Sequence, residues 1–350
     1  MQILVTGHNG YIGAVLVPFL TSIGDQVVGL DSYFYEDCAL NDQFEQVPAI
    51  RKDLRDITIS DLAQFEAVVH LGGLSNDPLG DLKPEWTYDI NCNGSINLAK
   101  LSKEAGVSRF IFSSSCSMYG AAVDELLTEE ASLNPLTPYA CSKVRAEEEI
   151  SRLADSSFSP IFLRNATAYG VSPKLRVDLV LNNLVGWAFT TGKIRILSDG
   201  LSWRPIVHVQ DIAQAIALVI TAPRHLVHNQ AFNVGVNGEN YQVRDLALIV
   251  QDTVPGSSLE FAPRGGSDPR NYKVDFSKLQ NTFPEFHPKW NAHLGAQQLF
   301  EAYKQHGLNL DEFQDRKYIR LNQLKYLLGR DCLDESLRWK IAQVKPLDIR

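Results

Sequence analysis

Long apolar runs are missing from this 350-residue chain. No stretch of about 18 apolar residues occurs, so the sequence offers no candidate membrane span. The start, Met1-Gln2-Ile3-Leu4-Val5-Thr6, carries no basic segment, and Gly7, His8, Asn9 and Gly10 then interrupt the apolar run. A secretory signal peptide is therefore not expected, and a soluble, cytoplasmic protein is. Cysteine is sparse: Cys38, Cys92, Cys116, Cys141 and Cys332. Their number is odd and no pair has CxxC spacing, which favours a reducing compartment over a disulfide framework. No Cys/His cluster has ligand spacing, so no metal is expected. Positive charge is in deficit, with 33 Lys+Arg against 41 Asp+Glu and a net charge of -8. That balance disfavours non-specific binding to nucleic acid or anionic lipid. It still leaves room for a local basic pocket holding a small phosphorylated ligand. Internal repeats and low-complexity tracts are absent.

What is present is an ordinary globular composition, 45% apolar and 21% charged. The length exceeds what one core usually fills, so two lobes are expected. Short β-rich apolar runs alternate with helical patterns in the first half. Ile3–Val5, Gln26–Leu30, Ala67–Leu71, Arg109–Phe112 and Pro160–Leu163 read as strands. Tyr11–Ile23, one long stretch Pro84–Ala105, and Pro138–Leu153 read as helices. This alternation predicts a parallel sheet with helices on both faces. After Gly170 the rhythm loosens. Helices are expected over Val177–Ala188, from a capping Asp211, over Val243–Thr253 and over Gly295–His306, with strands at Ile206–Val209 and Phe232–Val234. Pro255 to Pro269 reads as a loop, and Tyr318–Leu328 as a helix in a charged tail.

The first strand runs into Gly7-His8-Asn9-Gly10-Tyr11-Ile12-Gly13, a GxxGxxG turn that opens the first helix. Gly7 permits the tight turn, Gly10 lets backbone approach a pyrophosphate, and Gly13 allows close helix–strand packing. The helix N-terminus then presents free N–H groups to the phosphate. Asp31 ends the second strand, 18 residues after Gly13. A carboxylate there accepts hydrogen bonds from both adenosine ribose hydroxyls and repels a 2′-phosphate, which argues for NAD over NADP.

Tyr139-Ala140-Cys141-Ser142-Lys143 places a phenol and an ammonium four residues apart, on one face of a helix that starts at Thr137-Pro138. A phenol with pKa near 10 is a poor base at pH 7. A nearby ammonium and a positive nicotinamide ring both favour its phenolate. Tyr139 could then exchange a proton with a substrate hydroxyl while hydride moves. Ser113-Ser114-Ser115 at the end of strand Arg109–Phe112 could share that oxygen.

These residues resemble the extended short-chain dehydrogenase/reductase superfamily, in particular its nucleotide-sugar epimerases and dehydratases. The resemblance spans about residues 1–305. It rests on Thr6–Gly13, Asp31, Asp53-Leu54, His70-Leu71-Gly72-Gly73, Phe112–Gly120, Tyr139–Lys143, Leu163–Gly170, Arg204–Asp211 and Phe232–Gly235. It implies an α/β chain: a Rossmann-type doubly wound parallel sheet over residues 1–170, to which some later segments return. A smaller α/β substrate lobe over 171–310 and a helical extension over 311–350 would follow. NAD would be held by Gly7, Asn9, Gly10, Tyr11, Ile12, Gly13, Asp31, Asp53, Leu54, Leu71, Gly72, Gly73 and Ser113, with Tyr139 and Lys143 at the nicotinamide end. Ser115, Tyr139 and Lys143 would be the catalytic set. The substrate implied is a nucleoside-diphosphate sugar, contacted by Ser75, Ser115, Thr167, Asn182, Arg204, Asn233 and Arg270. Arg204 and Arg270 would clamp the diphosphate, a task that suits the guanidinium fork. Relatives dimerise by pairing the helices that correspond to Pro84–Ala105 and Pro138–Leu153, so a homodimer is implied.

Departures from the family pattern narrow the chemistry. Sugar 4,6-dehydratases carry Asp-Glu just after the catalytic hydroxyl residue; Cys116 and Ser117 stand there, which argues against dehydration. Cys116 reads as a packing residue. Thr167 replaces a frequent Asn three residues after Arg164, which leaves the sugar open. The expectation is therefore redox-neutral C4 epimerisation through a transient 4-keto sugar. A ketoreductase or dehydrogenase, or a keto-sugar epimerase, acting on a deoxysugar nucleotide is the enzymatic alternative. An NAD-sensing scaffold is the non-enzymatic one.

Overall fold

A computed structural model describes residues 1–40, 46–75, 77–261 and 270–340; of residues 122–125 it describes the backbone alone. Seven strands form the main sheet: β1 (Gln2–Thr6), β2 (Gln26–Asp31), β3 (Ala49–Arg51), β4 (Ala67–His70), β5 (Arg109–Ser115), β6 (Ser159–Asn165) and β7 (Gln230–Val234). Their spatial order is β7-β6-β5-β4-β1-β2-β3, and every neighbouring pair is parallel. Ile3, Leu4 and Val5 of β1 are wholly buried because helices cover both faces. Continuous apolar strands of this kind belong to parallel sheets. β7 comes from beyond residue 170 and returns to the edge of the first lobe's sheet.

Register aligns the carboxyl ends of the central strands. Thr6 pairs with Leu30 on one side and with His70 on the other. The chain order reverses beside β1, so a crevice opens there, where ligands of doubly wound sheets bind. The buried Thr6 hydroxyl bonds His70 Nδ1 at 2.6 Å, and His70 Nε2 bonds Ser95 Oγ at 2.7 Å. Burial holds the His70 imidazole down at about 3, so it is neutral at pH 7.

The stretch expected as one long helix is helical throughout, but in three parts: Pro84–Thr87, a π-type segment Tyr88–Gly94, and Ser95–Glu104. The wide turn lets Asn91 clamp a loop. Its Oδ1 accepts Leu74 N–H at 2.7 Å and its Nδ2 donates to Leu74 O at 2.8 Å. Such segments are frequent at functional sites.

In the second lobe, Val180–Thr191 packs with Val243–Thr253 and Ala292–His306 around a separate apolar core. Val180–Thr191 begins three residues later than the sequence pattern implied, because Arg176 and Asp178 pair with each other in the preceding loop. Asp211 does not cap its helix. The helix is Val209–Thr221, His208 Nδ1 accepts Gln210 N–H as its cap, and Asp211 instead accepts Lys289 N–H and Trp290 N–H. The expected loop contains a strand, Ser258–Phe261, and its residues 262–269 lie outside the described ones.

The tail is not a free extension. It forms helices Leu310–Gln314 and Arg320–Gly329 and packs on both lobes. Phe313 enters the second core, against Gly186, where a Cβ would lie 2.1 Å from its ring. Leu324, Leu327, Leu333 and Leu337 pack with Phe34, Leu74 and Trp86 of the first lobe.

Candidate active site

A cavity of about 860 Å³ runs from the glycine turn into the second lobe. On one wall lie Gly7, Gly10, Tyr11, Ile12 and Gly13, with Asp31, Asp53, Leu54, Leu71, Gly72 and Gly73 beside them. Gly7 has φ +72°, and a Cβ there would sit 2.8 Å from Gly72 N; a Cβ on Gly13 would meet Gly7 O at 2.4 Å. The turn is thus packed against Gly72 as closely as backbone permits. The first helix, Gly13–Ser22, has no side-chain cap. Asp31 accepts Asn9 N–H at 3.2 Å and Tyr33 N–H at 2.7 Å. Asn9 contributes through that backbone bond, and its side chain is not in the cavity wall. Asp53 caps a turn and ion-pairs with Arg55 at 2.7 Å.

At the other end of the turn the helix Pro138–Ser151 brings in Tyr139 and Lys143, and β5 brings in Ser113 and Ser115. Lys143 is buried, donates to Ser113 O at 2.7 Å, and holds its Nζ 5.9 Å from the centre of the Tyr139 ring. Tyr139 and Ser115 line the same stretch of the cavity, and the Ser115 hydroxyl accepts Ser117 N–H at 3.2 Å. Burial pushes the Tyr139 phenol up to about 12, with Asp77 adding to the rise and Ser115 and Arg176 opposing it. The chain's own groups therefore leave this phenol neutral at pH 7. Burial lowers Lys143 to about 8, opposed by Glu147.

The second-lobe half carries Thr167, Arg204 and Arg270 in the cavity wall. Arg204 is buried and donates to Trp203 O at 2.7 Å and to Arg270 O. Arg270 pairs with Asp77, and Asp77 accepts the Thr137 hydroxyl at 2.9 Å. Ser75 lines the cavity and receives Arg176 on both its hydroxyl, at 2.8 Å, and its carbonyl, at 3.2 Å.

Two expected substrate contacts are displaced. Asn182 is fully buried, where its amide bonds Gly170 N, Arg176 O and the Tyr11 hydroxyl; the neighbouring Asn183 lines the cavity instead. Asn233 is also fully buried, holding the Tyr119 hydroxyl, Leu127 O and Asp275 O. Both are structural ties. Cys116 is buried against Arg164 O at 3.0 Å with its thiol pushed far up by burial, in line with a packing role. Residues the sequence did not single out, Asp77, Arg176, Asn165 and Arg320, also line the cavity, as does Ser117. Among the described residues no cluster suited to a metal occurs, and no helix is long and apolar enough to cross a membrane.

The parallel sheet, the glycine turn and the Tyr–Lys helix define an NAD-binding enzyme of the extended short-chain dehydrogenase type. Residues 3–235 match the model of the NAD dependent epimerase/dehydratase family, and the chain belongs to that family. UDP-glucose 4-epimerase of Bacillus subtilis (strain 168) is 26% identical over 327 residues, 85% of this chain and 94% of that one. UDP-glucuronic acid decarboxylase 1 of Arabidopsis thaliana is 24% identical over 319 residues, 89% of this chain and 72% of that one. The solved structure of MoeE5 in complex with UDP-glucuronic acid and NAD superposes with a TM-score of 0.76 at 25% identity, covering 87% of this chain and 99% of that chain. NAD is the family's cofactor, and the residues present fit it: tight glycines where a pyrophosphate would rest and a carboxylate at the end of β2 for the ribose.

Proposed function

We propose that this chain is an NAD-dependent epimerase of nucleoside-diphosphate sugars, acting at C4 through a transient 4-keto sugar. The observation that supports it most is convergence. Ser115, Tyr139 and Lys143 open onto the same cavity as the glycine turn, and Arg204 and Arg270 lie in its second-lobe wall. Cys116 and Ser117, just after the serine, supply no carboxylate for water elimination.

In this reading Tyr139 takes the C4 hydroxyl proton, and Ser115, in the same cavity wall, hydrogen-bonds the same substrate oxygen. Bound NAD supplies the hydride acceptor and a positive charge beside the phenol. Lys143 donates one of its three protons to Ser113 O and keeps two for the nicotinamide ribose. Arg204 and Arg270 hold the diphosphate, so the anchor lies far from the reacting carbon and the ring can turn over between hydride transfers.

The test is a panel of UDP-, dTDP-, GDP- and CDP-sugars, followed by product chromatography and absorbance at the NADH band. A 4-epimer formed without net NADH supports the reading. Carbon dioxide release, water elimination or accumulating NADH assigns the chain to another reaction. No turnover of any sugar favours a binding role.

A further inference from the structure

Arg320 opens the helix Arg320–Gly329 of the C-terminal extension and sits at the wall of the cavity. It is 5% exposed. Its Nη2 donates to Lys174 O at 2.9 Å, and its guanidinium lies 4.6 Å from the Tyr35 ring centre. Its Nη1 is buried with no hydrogen-bond partner among the described residues. Nor does Arg320 form an ion pair among the described residues. The nearby carboxylate Asp178 is engaged by Arg176 at 2.9 Å. Lys174 and Arg176 are further cations close by, and both oppose the charge of Arg320 or are opposed by it. A buried guanidinium at a cavity wall with an unpartnered N–H is costly to hold. A ligand anion entering the cavity offsets that cost.

The position selects which anion. Arg320 holds Lys174 O, and two residues earlier Ser172 donates its hydroxyl to Tyr11 O of the glycine turn at 2.8 Å, whereas Arg204 and Arg270 sit in the second-lobe half. The extension is docked beside the cofactor residues at several further points. Trp339 donates to Ser32 O at 2.6 Å, and Arg55, the partner of Asp53, donates to Ser336 O at 2.8 Å. We infer that Arg320 is a ligand of the NAD pyrophosphate, from the same cavity that Gly7–Gly13 lines, and that the C-terminal extension is a built part of the cofactor site. The inference rests on NAD binding and not on which sugar is turned over.

The test compares NAD affinity and UDP affinity of the stripped full-length protein, by calorimetry, in wild type, Arg320→Gln and Arg320→Lys. Glutamine can still donate to Lys174 O but carries no charge. Arg320→Gln should weaken NAD at least tenfold, Arg320→Lys by only a few-fold, with UDP affinity and melting temperature little changed. Unchanged NAD affinity in Arg320→Gln overturns the inference, as does a loss confined to UDP. Should the glutamine variant not fold, the wild type decides by hydrogen exchange. NAD added to stripped protein should slow exchange in the peptide around Arg320–Gly329 while UDP does not, and no slowing with NAD overturns the inference.

Discussion

The Thr137 hydroxyl donates to Asp77 at 2.9 Å while it accepts the Ala140 N–H at 3.2 Å. The residue that caps the Tyr139 helix is thereby tied to the carboxylate that pairs with Arg270. The proposed phosphate clamp and the placement of the phenol are joined through three side chains. Asp77→Asn should raise KM for the nucleotide sugar, because Arg270 loses its brace. Loss of the Asp77 charge also eases ionisation of Tyr139, so the acidic limb of the rate profile should move to lower pH. Steady-state kinetics from pH 5 to 9 read both effects.

Tyr139→Phe should cut turnover on the order of 10²–10⁴-fold, the usual weight of a positioned proton-transfer group. NAD content should stay near that of wild type, since the ring remains. Activity assays paired with NAD released on denaturation check this; an active phenylalanine variant removes Tyr139 from the mechanism.

Gly13→Ala and Gly10→Ala should differ in kind. A Cβ at residue 13 meets Gly7 O at 2.4 Å, whereas at residue 10 its nearest contact is the same oxygen at 3.0 Å. The first forces backbone apart and should cost about 1–3 kcal/mol of stability. The second is tight without overlap, so it should cost less stability, and it should lower NAD affinity because Gly10 lines the cavity. Thermal melts with and without NAD separate the two.

Much of this was legible because strands of a doubly wound sheet are short apolar runs and the turn and Tyr–Lys spacing are local signals. What failed depended on phase. The helix that carries Asn182 starts at Val180 and not at Val177, and one step along a helix turns a side chain by about 100°. That step decides whether Asn182 or Asn183 meets the cavity. Asn233 lies on β7, whose flanking Phe232 and Val234 are buried as well, so no alternation marks which face it takes. Arg320 carries no motif. Its place follows from tertiary packing of Leu324 and Leu327, which no local pattern shows.

Acid should destabilise the fold through its buried histidines. His70 is held at about 3 and His208 at about 4 by burial, both below the unfolded value of 6.5. The unfolded state binds more protons in this range, so stability is full above about pH 6.5 and declines as pH falls toward 3. Each such group contributes a slope of at most about 1.4 kcal/mol per pH unit. His70→Gln should flatten the decline of the urea midpoint between pH 7 and 5, at some cost at pH 7 from the altered bonds to Thr6 and Ser95.

The most direct measurement is proton NMR of an accepted nucleotide sugar incubated with the NAD-loaded protein in deuterated water. Epimerisation by hydride removal and return should give the 4-epimer with its C4 hydrogen retained, no deuterium in the ring and no net NADH. Deuterium at a ring carbon, loss of a carbon or of water, or product formed in step with NADH would contradict it.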